Sequence, residues 1–109
     1  MAVLPNNASL QQFQTYIKEV CAERGWDKNN HLELFLLFSE EVGELAKAIR
    51  NHVDLYQEEG NSKRDKFQLE EEFSDVFAYL LDLANHFDVD LDTAFRKKEE
   101  INAKRNWKA

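Results

Sequence analysis

The chain has 109 residues, 43% of them hydrophobic, and a formal net charge of −7. This length supports one domain with a hydrophobic core but not two domains. The acidic charge excludes a general DNA- or RNA-binding surface, because nucleic-acid phosphates require a basic footprint. Only three Gly and one Pro are present, which favours long helices over a turn-rich β fold. We expect a single all-α domain over residues 1–109, with residues 1–8 as a flexible tail.

The cellular setting follows from two further features of the sequence. No apolar run is long enough to span a membrane, and the first residues lack the charged and apolar regions of a signal peptide. Cys21, the one cysteine, lies on an apolar helical stripe, as expected for a core thiol in a reducing compartment. We expect a soluble cytoplasmic protein that does not bind membranes.

The first helix is predicted from about Ser9, its N-cap, to Arg24, with Gly25 as the C-terminal stop. The prediction rests on apolar residues that recur at spacings of three and four: Leu10, Phe13, Ile17, Val20 and Cys21.

The second helix is predicted to begin near Asn30 or His31 and to end near Asn51. Its central apolar stripe, expected to face the core, consists of Phe35, Phe38, Val42, Leu45 and Ile49. Glu41 and Glu44 lie to one side of this stripe. That same side also carries apolar residues, so we expect another helix or another subunit to cover it; these residues are Leu34, Leu37 and Ala48.

A polar connection with a Gly60-Asn61-Ser62 turn precedes the third helix, which is predicted from about Asp65 or Lys66 to His86. The stripe expected to face the core comprises Leu69, Phe73, Val76, Phe77, Leu80 and Ala84. Glu72 and Asp75 flank this stripe, as Glu41 and Glu44 flank the stripe of the second helix.

The fourth helix is predicted from Leu91 or Asp92 to about Asn106, with Asp90 as its N-cap. Its first turns are apolar, and the same face then becomes polar and cationic at Lys98, Asn102 and Arg105. This stripe either contacts a phosphate group or forms an ordinary solvated helix end, where cations are favourable.

The carboxylates on the second and third helices form two i, i+3 pairs, Glu41 with Glu44 and Glu72 with Asp75. Paired acids on two helices suit a hard divalent cation, namely Mg²⁺ with Mn²⁺ as a substitute. The alternative is that these acids are ordinary solvated residues on the helix surfaces. A ferritin-like di-iron site is excluded because none of the three His has a Glu three residues before it. An EF-hand loop over residues 88–99 fails because Thr93 stands where the turn requires Gly.

Three segments together resemble the MazG-like all-α nucleoside triphosphate pyrophosphohydrolases: EEVGELA at residues 40–46, EEFSDVFAYL at residues 71–80, and the Lys98, Asn102, Arg105 stripe. The resemblance extends from about Leu10 to Trp107 and is greatest to the small, single-domain dCTP pyrophosphatase-like members. It implies a four-helix MazG-like bundle that assembles into a homodimer or homotetramer, with sites completed between subunits.

The resemblance also implies a Mg²⁺-dependent reaction that cleaves the α–β phosphate bond of (deoxy)nucleoside triphosphates to a monophosphate and pyrophosphate, which would serve nucleotide-pool house-cleaning. Matching positions would make Glu41, Glu44, Glu72 and Asp75 the metal ligands. Glu40 and Glu41 would act in catalysis, with Glu40 orienting the metal or a water. Lys98, Asn102 and Arg105 would approach the phosphates, and Trp26 and Tyr79 could stack on the base.

Two questions stay open from the sequence. Members that prefer dCTP often carry a Trp soon after the first acidic motif, whereas this chain has Arg50-Asn51-His52, so its base preference is undecided. The alternative functions are a non-catalytic helical module that binds nucleotide or metal for regulation, and a structural oligomeric bundle with no metal dependence.

Overall fold

A computed structural model of the protein describes residues 1–56 and 66–107, within which all regular secondary structure is helical. The helices are α1 (Leu10–Arg24), α2 (His31–His52), α3 (Lys66–His86) and α4 (Leu91–Ala103). The all-α prediction is confirmed, and α4 ends about one turn earlier than expected. The predicted turn at Gly60-Asn61-Ser62 lies outside the described residues. None of the described helices is long and apolar enough to cross a lipid bilayer.

Local sequence sets the helix ends. The Ser9 hydroxyl accepts a hydrogen bond from the Gln12 main-chain N–H, and the Gln12 side chain accepts one from the Ser9 N–H. Asn30 and Glu33 form the same reciprocal cap on α2, and the Asp90 carboxylate caps α4. Such caps satisfy N–H groups that have no partner within the helix. Gly25 ends α1 with φ of 70°, a left-handed conformation that glycine adopts without steric cost.

A buried glutamine joins α1 to the α3–α4 link. The Gln14 side-chain amide donates to the Asn85 side-chain oxygen at 3.1 Å and to the Val89 carbonyl at 2.8 Å. The Gln14 side-chain oxygen accepts a hydrogen bond from the Leu91 N–H at 2.9 Å. The Asn85 side-chain amide donates to the main-chain carbonyl of Gln14 at 2.9 Å. Because these bonds satisfy the side-chain amide group, Gln14 can be buried where α1 meets the α3–α4 link.

The most extensive helix contact is between α2 and α3, with α1 packed on α3 and α4 packed mainly on α1. The most buried apolar residues are Val20, Cys21, Leu34, Ala48, Leu81 and Ala84. Leu34 and Ala48 belong to the acid-bearing side of α2, where the sequence left open a helix or another subunit as the cover. Helices of the same chain cover these two residues, whereas Leu37, the third residue of that side, is 36% exposed.

The prediction that the central apolar stripes of α2 and α3 face the core of the single chain is wrong for most of their members. Phe35 is 56% exposed and Phe73 is 54% exposed. We refer to the exposed members of both stripes as the α2–α3 apolar face: Phe35, Val42, Ile49, Phe73, Phe77 and Leu80. The helices pack instead through their flanks, because periodicity identifies an apolar face but not the surface that covers it.

The four predicted helices are therefore present, but one chain does not close them into a compact bundle. Phe95, in the apolar first turns of α4, is 69% exposed. The radius of gyration is 17.1 Å, whereas a compact domain of about this size has a radius of gyration of about 13 Å.

We predict that Gln14→Ala lowers the free energy of unfolding by about 2 kcal/mol, because it leaves the Val89 carbonyl and the Leu91 N–H without their partner. Urea denaturation followed by circular dichroism measures the change. The control is Gln11→Ala, which removes only an exposed hydrogen bond to Asp90 and should cost less than about 1 kcal/mol. Equal losses in the two variants would contradict the role assigned to Gln14.

Candidate metal centre and adjoining cavity

Carboxylates from two helices converge where α2 and α3 pack together. Glu41 comes from the middle of α2, and Glu72 and Asp75 come from α3, one turn apart. One carboxylate oxygen from each of these three residues lies within 4.8 Å of the other two. The i, i+3 spacing thus places two acids of α3 opposite an acid of α2.

The electrostatics of this cluster are unfavourable in the absence of a cation. Burial raises the pKa of Glu41, and the charges of Asp75, Glu72, Glu40 and Glu44 add to the shift. Burial likewise raises the pKa of Glu72, with further contributions from Asp75 and Glu44, partly offset by a hydrogen bond with Glu41. Both desolvation and like charges disfavour the ionised form of a carboxyl group.

The cluster has no cationic partner within the described part of the chain, where the ion pairs of acidic side chains involve Glu23, Asp82 and Asp92. In addition, the Glu72 Oε2 atom is buried and accepts no hydrogen bond. Buried carboxylate oxygens are normally paired, because leaving them unpaired costs free energy. A cation between the helices would supply the missing partner.

The donor set fits a hard divalent metal. All three groups offer oxygen, which Mg²⁺ and Mn²⁺ prefer. Mg²⁺–oxygen distances are about 2.0–2.1 Å, so two ligands on opposite sides of the ion lie about 4 Å apart. The carboxylate oxygens, which lie within 4.8 Å of one another, are spaced close to this value. These carboxylates can therefore act as metal ligands.

The other two predicted acids lie beside the cluster but outside this set of three. Glu44, one turn beyond Glu41, is exposed, and its charge raises the pKa of both Glu41 and Glu72. Glu40 is also exposed, and its charge raises the pKa of Glu41 and Tyr79. Both residues therefore add negative potential at the site.

A cavity of about 510 Å³ adjoins the acids, with Glu41 and Asp75 in its wall. The two aromatic residues predicted to contact a base, Trp26 and Tyr79, also line it. The Arg24 guanidinium lies 4.9 Å from the centre of the Trp26 ring, which is a cation–π contact. An aromatic cavity beside an acid cluster suits a ligand with a planar apolar part and a metal-bound anionic part.

Comparison with known proteins assigns the family. The MazG nucleotide pyrophosphohydrolase domain matches residues 29–106, which is more than half of the chain and includes all four acids of the two predicted pairs. The chain belongs to the MazG family.

Individual relatives cover most of the chain. Human dCTP pyrophosphatase 1 is 36% identical over 99 residues, which are 89% of this chain and 58% of the relative. Bovine dCTP pyrophosphatase 1 is 35% identical, over 89% of this chain and 59% of the relative. This MazG chain therefore spans just under three fifths of these mammalian proteins. A Bacillus subtilis relative, the uncharacterized protein YvdC, is 30% identical over 88% of this chain and 94% of its own length.

The three polar residues of α4 lie apart from this cavity in the MazG chain. None of the described residues that line it comes from α4. Lys98 and Arg105 are exposed. Asn102 is half-buried, and its main-chain carbonyl accepts a hydrogen bond from the Trp107 indole at 2.7 Å. Within one chain, the structure does not bring the α4 stripe into contact with the cavity.

Sequence reasoning missed several cavity residues. Tyr16 and Ile17 on α1 and Asp82 on α3 line the cavity but were assigned no functional role. The available signal was helical spacing, because Tyr79 and Asp82 follow Asp75 on one face of α3. Identification of the α1 residues requires knowing that α1 packs on α3, which spacing within α1 cannot reveal.

We predict that Glu72→Gln raises the melting temperature of the metal-free protein by a few degrees, because an amide removes one of the repelling charges. It should also abolish the rise in melting temperature that Mg²⁺ produces in the parent protein. Calorimetric scans with EDTA and with Mg²⁺ test both effects. Glu71→Gln, at the exposed neighbouring position, is the control and should keep the response to Mg²⁺. A lower metal-free melting temperature for Glu72→Gln would contradict the repulsion.

Proposed function

We propose that this protein is a nucleoside triphosphate pyrophosphohydrolase that requires a divalent metal and releases a monophosphate and pyrophosphate. The observation that carries the proposal is the convergence of Glu41, Glu72 and Asp75 beside an aromatic cavity that Glu41 and Asp75 line. These acids have no cationic ion-pair partner in the described residues. Membership of the MazG family and the activity named for the human and bovine relatives support it.

The proposed metal site consists of Glu41, Glu44, Glu72 and Asp75, with Mg²⁺ as the ion and Mn²⁺ as a substitute. When bound, the ion supplies the positive charge that lets a polyphosphate approach these acids, and it lowers the pKa of a bound water. The buried, unpaired Oε2 atom of Glu72 supports its role as a ligand. Glu40 is proposed to orient a ligand or water from the edge of the cluster, where its charge is felt by Glu41.

The cavity is proposed to hold the nucleoside. The Trp26 and Tyr79 rings offer faces on which a base can stack. Burial and the neighbouring Glu41 and Asp75 charges raise the pKa of the Tyr79 phenol, so it stays protonated and can donate a hydrogen bond to a bound phosphate or sugar oxygen. The chain thus binds the base in an apolar space and orients the phosphates towards the acids.

We further propose that the active protein is a homodimer or homotetramer. The α2–α3 apolar face leaves large side chains exposed in the single chain, which marks an association surface. Assembly would also let the Lys98, Asn102 and Arg105 stripe approach the phosphates at a site of another subunit. The free Cys21 thiol agrees with the reducing cytoplasm in which we propose that the protein acts.

We predict that Glu41→Gln and Asp75→Asn each lower kcat/KM by at least about 100-fold, because each removes a metal-ligating charge. The assay incubates the protein with dNTPs and NTPs, with and without Mg²⁺, and separates the products. The expected products are monophosphate and pyrophosphate, formed only with metal. Glu70→Gln, at an exposed position of α3, should retain the parent activity.

Release of diphosphate and orthophosphate would mean that a different bond is cleaved. Nucleotide binding without turnover on a broad panel would support the non-catalytic regulatory module instead. Turnover that is independent of metal, or full activity in both acid variants, would overturn the proposed site.

We predict that Phe73→Glu converts the assembly into monomers, because a charge at this exposed aromatic position cannot be buried in an apolar interface. Sedimentation equilibrium measures the mass. Val3→Glu is the control, because Val3 is an exposed apolar residue outside the α2–α3 apolar face. A monomeric parent protein, or an unchanged oligomer in Phe73→Glu, would contradict the proposed interface.

A further inference from the structure

An additional acid, Asp82, lines the same cavity as Trp26 and Tyr79. It follows Asp75 by seven residues on α3, which is two helical turns, or about 10 Å along the axis. The proposed metal ligands therefore lie at one end of this stretch of α3 and Asp82 at the other. That separation is comparable with the distance between the α-phosphate and the far edge of the base in a nucleotide.

The surroundings of Asp82 set it apart from the metal-site acids. Its side chain is 15% exposed, and its Oδ1 atom lies 3.9 Å from the His86 Nε2 atom on the next turn. The Cys21 thiol also hydrogen-bonds to Asp82, and burial together with the Asp82 charge raises the pKa of that thiol to about 11. The thiol therefore stays protonated at neutral pH and is a weak hydrogen-bond donor.

A structural role alone does not explain this position. An i, i+4 His–Asp pair stabilises a helix little, and a solvated position would serve it equally well. Burial raises the pKa of Asp82, which means that ionisation is penalised here, although His86 and Cys21 oppose the shift. Neither neighbour is a strong donor that would occupy both carboxylate oxygens. A polar acceptor is thus available inside a mostly apolar cavity.

Hydrogen-bond chemistry restricts what such an acceptor can recognise. An ionised carboxylate accepts hydrogen bonds and cannot donate them. Cytosine presents an exocyclic amino group at C4, for which Asp and Glu are matching acceptors, whereas uracil and thymine present a carbonyl oxygen there. A carboxylate facing that edge attracts the amino base and repels the carbonyl base.

We propose that Asp82 is a specificity-determining residue that accepts a hydrogen bond from the exocyclic amino group of the bound base, so that the protein selects cytosine over uracil and thymine nucleotides. The inference rests on the proposed function in one respect, namely that a nucleoside occupies the cavity. It adds a residue for base selection that lies two turns away from the metal-site acids.

The test compares the parent protein with Asp82→Asn, whose amide nearly preserves the shape but can donate to a carbonyl as well as accept. The readouts are the dCTP-to-dUTP ratio of kcat/KM and the ratio of affinities for the non-hydrolysable α,β-imido analogues of the same nucleotides, measured by calorimetry. The parent protein should favour cytosine, and Asp82→Asn should reduce both ratios by about tenfold, which corresponds to about 1.4 kcal/mol.

Two further variants make the test specific. Asp88→Asn exchanges the same groups at an exposed position in the α3–α4 link, where φ is 53° and Asn is well tolerated, so it should leave both ratios unchanged. Asp82→Ser removes the carboxylate without adding bulk and should lower the ratios if Asp82→Asn fails to fold.

The outcomes separate the inference from the proposed function. Turnover with ratios unchanged in the Asp82 variants would overturn the inference and leave the proposed function standing. In another outcome, the protein shows no turnover but binds the cytosine analogue more tightly than the uracil analogue only when Asp82 is present. That result would overturn the proposed function and support the inference. The inference would also be overturned if the parent protein bound the two analogues with equal affinity, or if it bound neither of them.

Discussion

Repulsion among the carboxylates between α2 and α3 is the constraint on which the rest of the structure depends. Burial and the neighbouring negative charges raise the pKa of Glu41 and Glu72 beside Asp75, and these acids have no cationic ion-pair partner in the described residues. Apolar packing must offset this repulsion in the metal-free protein. Buried apolar residues elsewhere on the same two helices contribute such packing: Leu34, Ala48, Leu81 and Ala84.

The position of α1 completes the cavity beside this helix pair. α1 packs on α3 and contributes Tyr16 and Ile17 to the cavity wall, so the space beside the acids is enclosed by apolar side chains. The Gln14 hydrogen bonds fix α1 to the α3–α4 link. Packing, cavity and acid cluster are therefore parts of one arrangement, and a shift of α1 would alter the proposed nucleoside site without touching the acids.

The parts of this arrangement that depend on local sequence could be predicted. The caps at Ser9 and Asp90 and the glycine stop at Gly25 involve residues within one turn of each other, so their chemistry is readable from the chain. The i, i+3 spacing also predicted that Glu72 and Asp75 share a helix face, and their convergence with Glu41 agrees with the acidic site on two helices that the sequence suggested.

Features that depend on how helices meet could not be predicted in the same way. The stripes containing Phe35 and Phe73 were expected in the core but are exposed in the single chain, because an apolar stripe is equally compatible with a core and with a subunit interface. Asp82 shares a helix face with Asp75 and Tyr79, but only the packing of α1 on α3 shows that this face lines the cavity. The predicted roles of Lys98 and Arg105 remain predictions, since α4 contributes nothing to the cavity within one chain.

The most direct test of metal binding by the carboxylates between α2 and α3 is anomalous X-ray diffraction. The crystals are grown with Mn²⁺ and a non-hydrolysable nucleotide analogue. We expect an anomalous peak between α2 and α3 that marks a Mn²⁺ ion bound by Glu41, Glu72 and Asp75. The nucleotide phosphates should bind the same ion. A fully occupied nucleotide without a peak at these carboxylates, or a Mn²⁺ ion held elsewhere, would contradict this expectation.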